Sequence, residues 1–357
     1  MKTTSPQPTV EKYSPLWQIV LSRVREFYRE PEALFWVYGF PVLLVVGLGV
    51  AFRNQPVEVI SVDVEAGPAA TTVVEMLAGK PRFKAAAYAT DVARLRLRTG
   101  KTDLVVVATA GSPPRYEYVF DPTRPPSVLA RNAVDDALQR AAGRQDVAVV
   151  SEQEFNEPGG RYIDFLVPGL LGMSLMGGGM WGVGFVTVDM RIRKLLKRFL
   201  ATPMRKSDFL SGIMLSRMLF MVPEVLVLLV FARLAFDVRI FGSLLAVLFL
   251  VLLGAVTFCG LGLLLAARPR TLEAISGLMN LVMLPMWLLS GIFFSSDRFP
   301  EMFQPFIKLL PLTALIDSLR AVMQDGASLT ALWSPIAIMA AWSVVSFAAA
   351  LRWFRWV

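Results

Sequence analysis

Two charged side chains, Arg217 and Glu224, interrupt the apolar segment at residues 210–232. Charge within a bilayer is costly, so an ionisable residue there is a candidate for binding a substrate or a proton. A helix places both side chains on one face, roughly 10 Å apart along its axis. We expect Arg217 to extend toward the cytoplasmic surface, and Glu224 to be neutral or paired with a basic group on another helix. A structural polar contact between helices is the alternative.

Few other residues have the chemistry of a catalytic or metal site. The chain has no histidine, which removes the commonest general base and the commonest metal ligand. Its single cysteine, Cys259, lies in an apolar segment and is expected to be a small buried side chain. The phosphate-binding pattern G-x-x-x-x-G-K-S/T is absent. We therefore predict neither an ATPase nor a metal-dependent enzyme on this chain.

Long apolar segments must position these residues. The chain is 55% hydrophobic and 18% charged, whereas a soluble domain is about a quarter charged. Six segments are each long enough to cross a bilayer. They are residues 34–52, 165–188, 210–232, 240–267, 274–294 and 329–351. We therefore predict an α-helical integral membrane protein with six transmembrane helices.

Residues 53–162 have a different character. Val62 and Val64 alternate with polar residues, and residues 104–108 and 116–120 are short strand-like runs. Helical patterns are expected at residues 69–78, 91–98 and 130–141. A region of this length can bury a small core. We predict a small α/β domain inserted between the first and second transmembrane helices.

Basic residues indicate the orientation. Most of the net charge of +8 lies in the loop at residues 189–209. Further basic residues precede the first apolar segment, separate the fourth from the fifth, and follow the last. Six transmembrane helices put all of these residues on one side, which is the cytoplasmic side. Both termini are then cytoplasmic, and the α/β domain is extracytoplasmic. Basic residues placed in this way favour a lipid bilayer, and not nucleic acid, as the partner.

Two further segments are amphipathic or broken. Within the cytoplasmic residues 1–33, residues 15–30 predict an amphipathic helix on the membrane surface or, alternatively, a helix packed on protein. In the five-helix region at residues 163–357, the outer segment 295–328 is apolar but is interrupted by prolines. We expect it to be re-entrant, with its irregular backbone covered by protein or water. A plain amphipathic surface helix is the alternative.

Two patterns point to contacts between helices or proteins. In the basic loop, Leu195, Leu196 and Phe199 lie on one side of a short helical pattern flanked by basic residues. Such a helix can press its apolar side into a partner or lie on the membrane surface. In the second apolar segment, Gly178 and Gly182 form a G-x-x-x-G pattern. These glycines permit close helix packing or, alternatively, a wide and mobile path.

The order and spacing of several motifs resemble those of ABC type-2 transporter permeases. The resemblance is strongest to the bacterial form with a large extracytoplasmic insert after the first transmembrane helix. It covers nearly the whole chain and is weakest in the insert. The motifs are residues 161–169, 193–203, 289–294 and 310–313, with Asp317 and Arg320 after them.

This resemblance implies the membrane subunit of an ATP-driven exporter in the cell (inner) membrane. Such a subunit forms a homodimer, or a heterodimer with a related permease, and moves its substrate by alternating access. The apolar character of the predicted path, and not the resemblance, favours a lipid-like or amphipathic substrate. ATP and Mg would bind a separate ABC ATPase chain, and this chain would bind no cofactor. The helix at residues 15–30 would be the connecting helix, also near the ATPase. The outer segment 295–328 would be the gate.

The resemblance also implies roles for particular residues. The expected coupling helix, which contacts the ATPase, comprises Arg193, Lys194, Leu195, Leu196, Lys197, Arg198, Phe199 and Leu200. The second and fifth transmembrane helices would line the translocation path between protomers. Candidates for that path are Gly178, Gly182, Asn280, Met283 and Trp287.

Other classes of function make different use of the same segments. A membrane-anchored receptor or assembly scaffold would act through the outer domain, which is also where an extracytoplasmic partner would bind. An intramembrane enzyme would need convergent carboxylates, and only Glu224 lies in the middle of a segment. A secondary transporter usually has internal repeats, and none is visible.

Overall fold

The computed structural model describes residues 15–53, 59–109, 111, 114–145, 159–201 and 206–355. The chain divides into two compact units, one of Met1–Arg53 with Phe155–Val357 and one of Asn54–Glu154. Within the described residues the first unit is helical, and the second contains both helices and strands. Residues 54–58 and 146–158, near the predicted limits of the α/β domain, lie outside the described residues.

The first unit begins with a short series of helices. They are α1 (Pro15–Tyr28), α2 (Pro31–Leu34), a π-helical turn (Phe35–Gly39) and α3 (Phe40–Arg53). Helix α1 buries Ile19 and Val20 and exposes Trp17. One face of this amphipathic helix therefore packs on protein.

The second unit is a small α/β fold. Its elements are β1 (Ile60–Glu65), α4 (Ala70–Ala78), β2 (Phe83–Tyr88), α5 (Thr90–Arg98), β3 (Leu104–Thr109), β4 (Arg115–Val119) and α6 (Pro125–Ala141). The strand order is β2-β1-β3-β4, with β1 parallel to β2 and β3, and β4 antiparallel to β3. Val62 and Val64 of β1 pack with α4 and α6 in one apolar core. On β1, Asp63 accepts a hydrogen bond from Arg96 of α5 at 2.7 Å.

The first unit continues with the remaining helices. They are α7 (Tyr162–Gly179), a π-helical segment (Met180–Phe185), α8 (Val186–Ile192), α9 (Leu195–Leu200), α10 (Lys206–Phe236), α11 (Leu244–Leu265), α12 (Leu272–Leu289), α13 (Gln304–Leu309), α14 (Pro311–Met323) and α15 (Trp333–Trp353). Two 3-10 turns, Ser296–Arg298 and Glu301–Phe303, lie before α13. Helix α11 packs against α7, α10, α14 and α15 and forms the centre of the unit.

Five helices within the described residues are long and apolar enough to cross a membrane. They are Tyr162–Ile192, Asp208–Phe236, Leu244–Leu265, Leu272–Leu289 and Trp333–Trp353. The segment predicted as the first transmembrane helix corresponds to a shorter apolar helix, Phe35–Ala51. The prediction of six transmembrane helices therefore stays a prediction for this first segment.

The broken outer segment folds in two different ways. Its first half, up to α13, exposes apolar side chains such as Met302 and Phe306. Its second half, α14, is buried, with Leu315 and Leu319 fully covered by the first unit. A plain amphipathic surface helix therefore does not describe α14. Protein covers α14, and the re-entrant arrangement of the whole segment stays a prediction.

Helices α7 and α11 approach each other most closely at glycines. A methyl group on Gly179 would lie 2.7 Å from Cβ of Phe258 and 3.0 Å from the backbone nitrogen of Cys259. A methyl group on Gly262 would lie 2.9 Å from the carbonyl oxygen of Gly179. Backbone atoms cannot move aside as a flexible side chain can, so the two glycines set the distance between these helices.

This close approach predicts a position-specific effect of one methyl group. Gly179→Ala should lower the free energy of unfolding by about 1–3 kcal/mol, because α7 and α11 must separate. Gly177→Ala, in the same helix, is the matched control, since nothing lies within 4 Å of its added methyl group. Thermal unfolding of the purified protein checks both variants. Equal melting temperatures for the two would contradict the proposed backbone contact.

Candidate functional site

The two charges within α10 form a buried ion pair. Nη2 of Arg217 lies 3.3 Å from Oε2 of Glu224. The hydroxyl of Ser174, on α7, donates a hydrogen bond to the other carboxylate oxygen of Glu224. Arg217 is 7% exposed and Glu224 4%. The expectation that Arg217 extends toward the cytoplasmic surface is therefore wrong: its partner, two turns along the same helix, is close enough to hold it inside.

The glycines of α7 and the following π-helical segment make room for this arginine. A methyl group on Gly178 would overlap the Arg217 guanidinium, and one on Gly182 would lie 2.8 Å from its Cδ. The G-x-x-x-G pattern thus receives a charged side chain from α10. Gly182 belongs to the π-helical segment, a distortion that is often found at functional sites.

A cavity of about 1010 Å³ lies beside the ion pair. Residues from Ile213 to Glu224 of α10 line it, a length of roughly 16 Å along the helix. Helices α1, α3, α7, α8 and α12 and the two π-helical segments contribute the other walls. Phe27 of α1 stacks on Phe220 of α10 at 4.2 Å between ring centroids and closes one side.

The predicted path residues are only partly brought together. Gly178, Gly182 and Trp287 line the cavity. Asn280 is exposed on the surface of the first unit, and Met283 is buried in its apolar core. The structure therefore places these five residues in three different environments, because successive positions of α12 face different directions.

The predicted coupling helix has its apolar side turned inward. Leu196 is buried, and the ring of Phe199 packs on Phe209 of α10 at 5.0 Å between centroids. Lys197 and Arg198 are exposed. The side chain of Leu200 and residues 202–205 lie outside the described residues. The exposed side chains of α9 within the described residues are therefore basic.

Two residues of this region reach the cavity. Arg193 and Leu195 line it together with Ser174 and Glu224. Lys194, between them, has a left-handed backbone with φ of 59°, which separates α8 from α9. One continuous space therefore connects the predicted coupling helix with the buried ion pair.

Comparison with known proteins decides the family. The family model for ABC-2 family transporter proteins matches residues 31–352. The chain belongs to this family. The ABC-2 chain is 26% identical over 176 residues to the linearmycin resistance permease protein LnrN of Bacillus subtilis (strain 168), which is 49% of this chain and 46% of that protein. It is 24% identical over 200 residues to ABC transporter G family member 20 of Dictyostelium discoideum, which is 56% of this chain and 27% of that protein.

The chain thus spans less than half the length of either of these relatives. The family assignment rests on the match over residues 31–352 and establishes a membrane-embedded transporter component. Within the described residues, no group of three or more potential metal-ligating side chains is present.

Arg191 joins several segments of this ABC-2 protein, a role that its sequence did not predict. Its Nη1 donates hydrogen bonds to the carbonyl oxygens of Ala266 at 2.8 Å and Pro269 at 2.6 Å. Its Nε donates to the carbonyl oxygen of Arg355 at 3.0 Å. Arg191 therefore joins the end of α8 to the α11–α12 loop and the C-terminal segment. Only its basic character was visible in the sequence, and many neighbours share that character.

Arg320 has a similar role at the other end of the ABC-2 bundle. Its guanidinium lies 3.6 Å above the ring of Phe165 and donates to the carbonyl oxygens of Phe165 and Gly291. Gly291 has φ of +76°, which favours glycine. Next to it, a methyl group on Gly169 would lie 2.6 Å from the carbonyl oxygen of Ile292. Helices α7, α12 and α14 are thereby held together.

The buried ion pair predicts non-additive effects on stability. Glu224→Met should destabilise the ABC-2 protein by about 3–5 kcal/mol, because Arg217 stays charged and is left buried without a counter-charge. The double variant Arg217→Met/Glu224→Met should be less destabilised than Glu224→Met alone. Thermal unfolding of the three proteins measures this difference. A double variant at least as destabilised as Glu224→Met would contradict an unpaired buried charge as the cause of the loss.

Proposed function

We propose that this chain is the membrane-spanning permease subunit of an ATP-driven exporter, with ATP and Mg bound by an ABC ATPase on a separate chain. Membership of the ABC-2 family supports a transporter, and the name of one relative, a resistance permease, supports export. The observation that carries the proposal is that Arg193 and Glu224 line the same cavity. An ATPase acting on the loop could change the cavity directly.

Helix α9 is the proposed contact with the ATPase. Its basic side chains Lys197 and Arg198 face outward, and Leu196 and Phe199 attach it to α10 and the core. A displacement of α9 would therefore move α10, which carries Arg217 and Glu224. Coupling on this view goes through packed side chains and needs no flexible linker.

The two ends of the bundle suggest the state of the transport cycle. Near α14, Ile316 packs where a side chain on Gly172 would lie, and Arg320 ties α7 to Gly291. Near α9, the cavity reaches Arg193 and Leu195. In the proposed cytoplasmic orientation of α9, the cavity faces the cytoplasm and the outer end is closed. Alternating access would separate α7 from α14.

The remaining arrangement follows from the distribution of basic residues. We infer six transmembrane helices in the cell (inner) membrane, both termini in the cytoplasm, and the α/β unit outside. Two such chains, identical or related, would form the dimer, with a lipid-like or amphipathic substrate. A path between protomers would use exposed residues of α12 such as Asn280.

Cysteine labelling tests the orientation. The sole cysteine, Cys259, is buried, so an impermeant maleimide should report only on introduced cysteines. Lys308→Cys should be labelled on intact cells, and Lys197→Cys only after the membrane is opened, because the two exposed positions lie on opposite sides. Labelling of Lys197→Cys on intact cells would invert the orientation and remove the proposed ATPase contact.

Charge reversal tests the contact itself. Lys197→Glu should reduce co-purification of the ATPase at least about tenfold, because a charge pair at such an interface contributes about 1.5 kcal/mol or more. The matched control is Lys308→Glu, an equally exposed lysine expected on the outer side, which should co-purify like the unaltered protein. A chain that binds no ATPase, but binds a ligand through its α/β unit, would instead be a receptor or scaffold.

A further inference from the structure

We propose that the cavity beside Arg217 and Glu224 binds an amphiphile that carries no net charge. The inference deepens the proposed function and rests on it in treating the bound molecule as the transported substrate. All residues that line the cavity belong to the first unit.

The walls provide an apolar surface. Aromatic side chains from α1, α10, α12 and the two π-helical segments line the cavity, namely Phe27, Trp36, Trp181, Phe185, Phe220 and Trp287. Aromatic rings offer large apolar contact areas to a hydrocarbon or conjugated chain. The volume of about 1010 Å³ is at the upper end of the range for drug-sized ligands, which suits one amphiphile.

The buried end of the cavity, at Arg217 and Glu224, is polar but electrically balanced. Arg217 and Glu224 neutralise each other, and both side chains are more than nine-tenths buried. A charged ligand group placed here would lose its hydration and find no free counter-charge. A hydroxyl, amide or ester group would lose much less. The ion pair therefore selects against ligands with net charge.

Unsatisfied donors indicate which polar atoms the ligand offers. Arg217 and Trp287 both line the cavity. Nε of Arg217 and Nε1 of Trp287 are buried, and neither has a hydrogen-bond partner. An unpaired buried donor is unfavourable by about 1–3 kcal/mol. Hydroxyl or carbonyl oxygens of a ligand would satisfy them once either side chain turns its donor toward the cavity. The site thus fits an oxygen-rich, uncharged head group.

The charges at the exposed end of the cavity, on α1 and near the end of α8, are also nearly balanced. Arg23 pairs with Glu26 at 2.7 Å, and Arg193 pairs with Asp189 at 2.9 Å. Glu30 adds one carboxylate, but it is exposed and its field is screened by solvent. Neither region presents the unpaired buried charge that a strongly anionic or cationic ligand requires.

The test is saturable quenching of tryptophan fluorescence by brominated amphiphiles. The purified full chain in nanodiscs is titrated with three probes of equal chain length: a brominated alkyl maltoside, an alkyl sulfate and an alkyl trimethylammonium. The uncharged maltoside should bind at least about tenfold more tightly than either ion. Trp287→Phe should reduce the saturable quenching, whereas Trp333→Phe, at an exposed position away from the cavity, should not.

Removing one charge should change this preference. Glu224→Gln keeps the shape of the side chain but leaves Arg217 without its counter-charge, so the sulfate should become the preferred probe. The matched control is Glu273→Gln, an exposed glutamate that does not line the cavity, which should keep the preference for the maltoside. Size-exclusion chromatography and thermal unfolding show whether each variant is folded.

Several outcomes would overturn the proposal. One is equal binding of the three probes by the unaltered protein, which decides the question even if Glu224→Gln does not fold. Another is a folded Glu224→Gln protein that still prefers the maltoside. ATP-dependent transport without saturable quenching would remove the cavity site and leave the proposed function standing. Quenching as expected, in a chain that binds no ATPase, would reject the exporter and keep the site.

Discussion

A guanidinium that is buried among apolar helices must have a counter-charge and space. Much of the first unit is arranged around that requirement. Arg217 obtains its counter-charge from Glu224 on the same helix and its space from Gly178 and Gly182 on the neighbouring one. The hydrogen bond from Ser174 to Glu224 completes the contact between α7 and α10. These requirements fix the relative position of the two helices. The same ion pair forms the polar, buried end of a cavity whose other walls are mainly apolar.

Arginines also hold the two ends of the bundle, in each case by binding backbone carbonyls. Arg191 binds carbonyl oxygens after α11 and near the C-terminus, and Arg320 binds those of Phe165 and Gly291. Apart from Phe165, which is in the first turn of α7, these carbonyls lie beyond the last residue of a helix, where no partner within the helix is available. A planar group with five donors can bind several of them at once. The two arginines therefore connect segments that are distant in sequence, one from the end of α8 and one from α14.

Much of the fold was predictable because the signals are local. Apolar length predicted five helices that the structure contains with similar limits. Alternating valines predicted β1, a β-branched run predicted β3, and aromatic residues on one face predicted β4. Strand β2 was missed, since its centre consists of Ala85, Ala86 and Ala87, which show neither alternation nor β-branched side chains. It is a strand because β1 offers it a parallel edge. The burial of α14 was only one of two alternatives, because the prolines and apolar residues of segment 295–328 also suit a surface helix.

The sequence by itself determined that charges lie within an apolar segment, that glycines recur in the preceding one, and that a basic loop separates them. Those properties depend on composition and spacing along one chain. Only the tertiary structure decided that Arg217 turns inward, that Gly178 and Gly182 receive it, and that Trp287 shares a cavity with Arg193 while Met283 does not. The rotation of each helix about its axis decides such contacts. That rotation depends on the packing of all neighbouring helices together, which spacing within one segment does not encode.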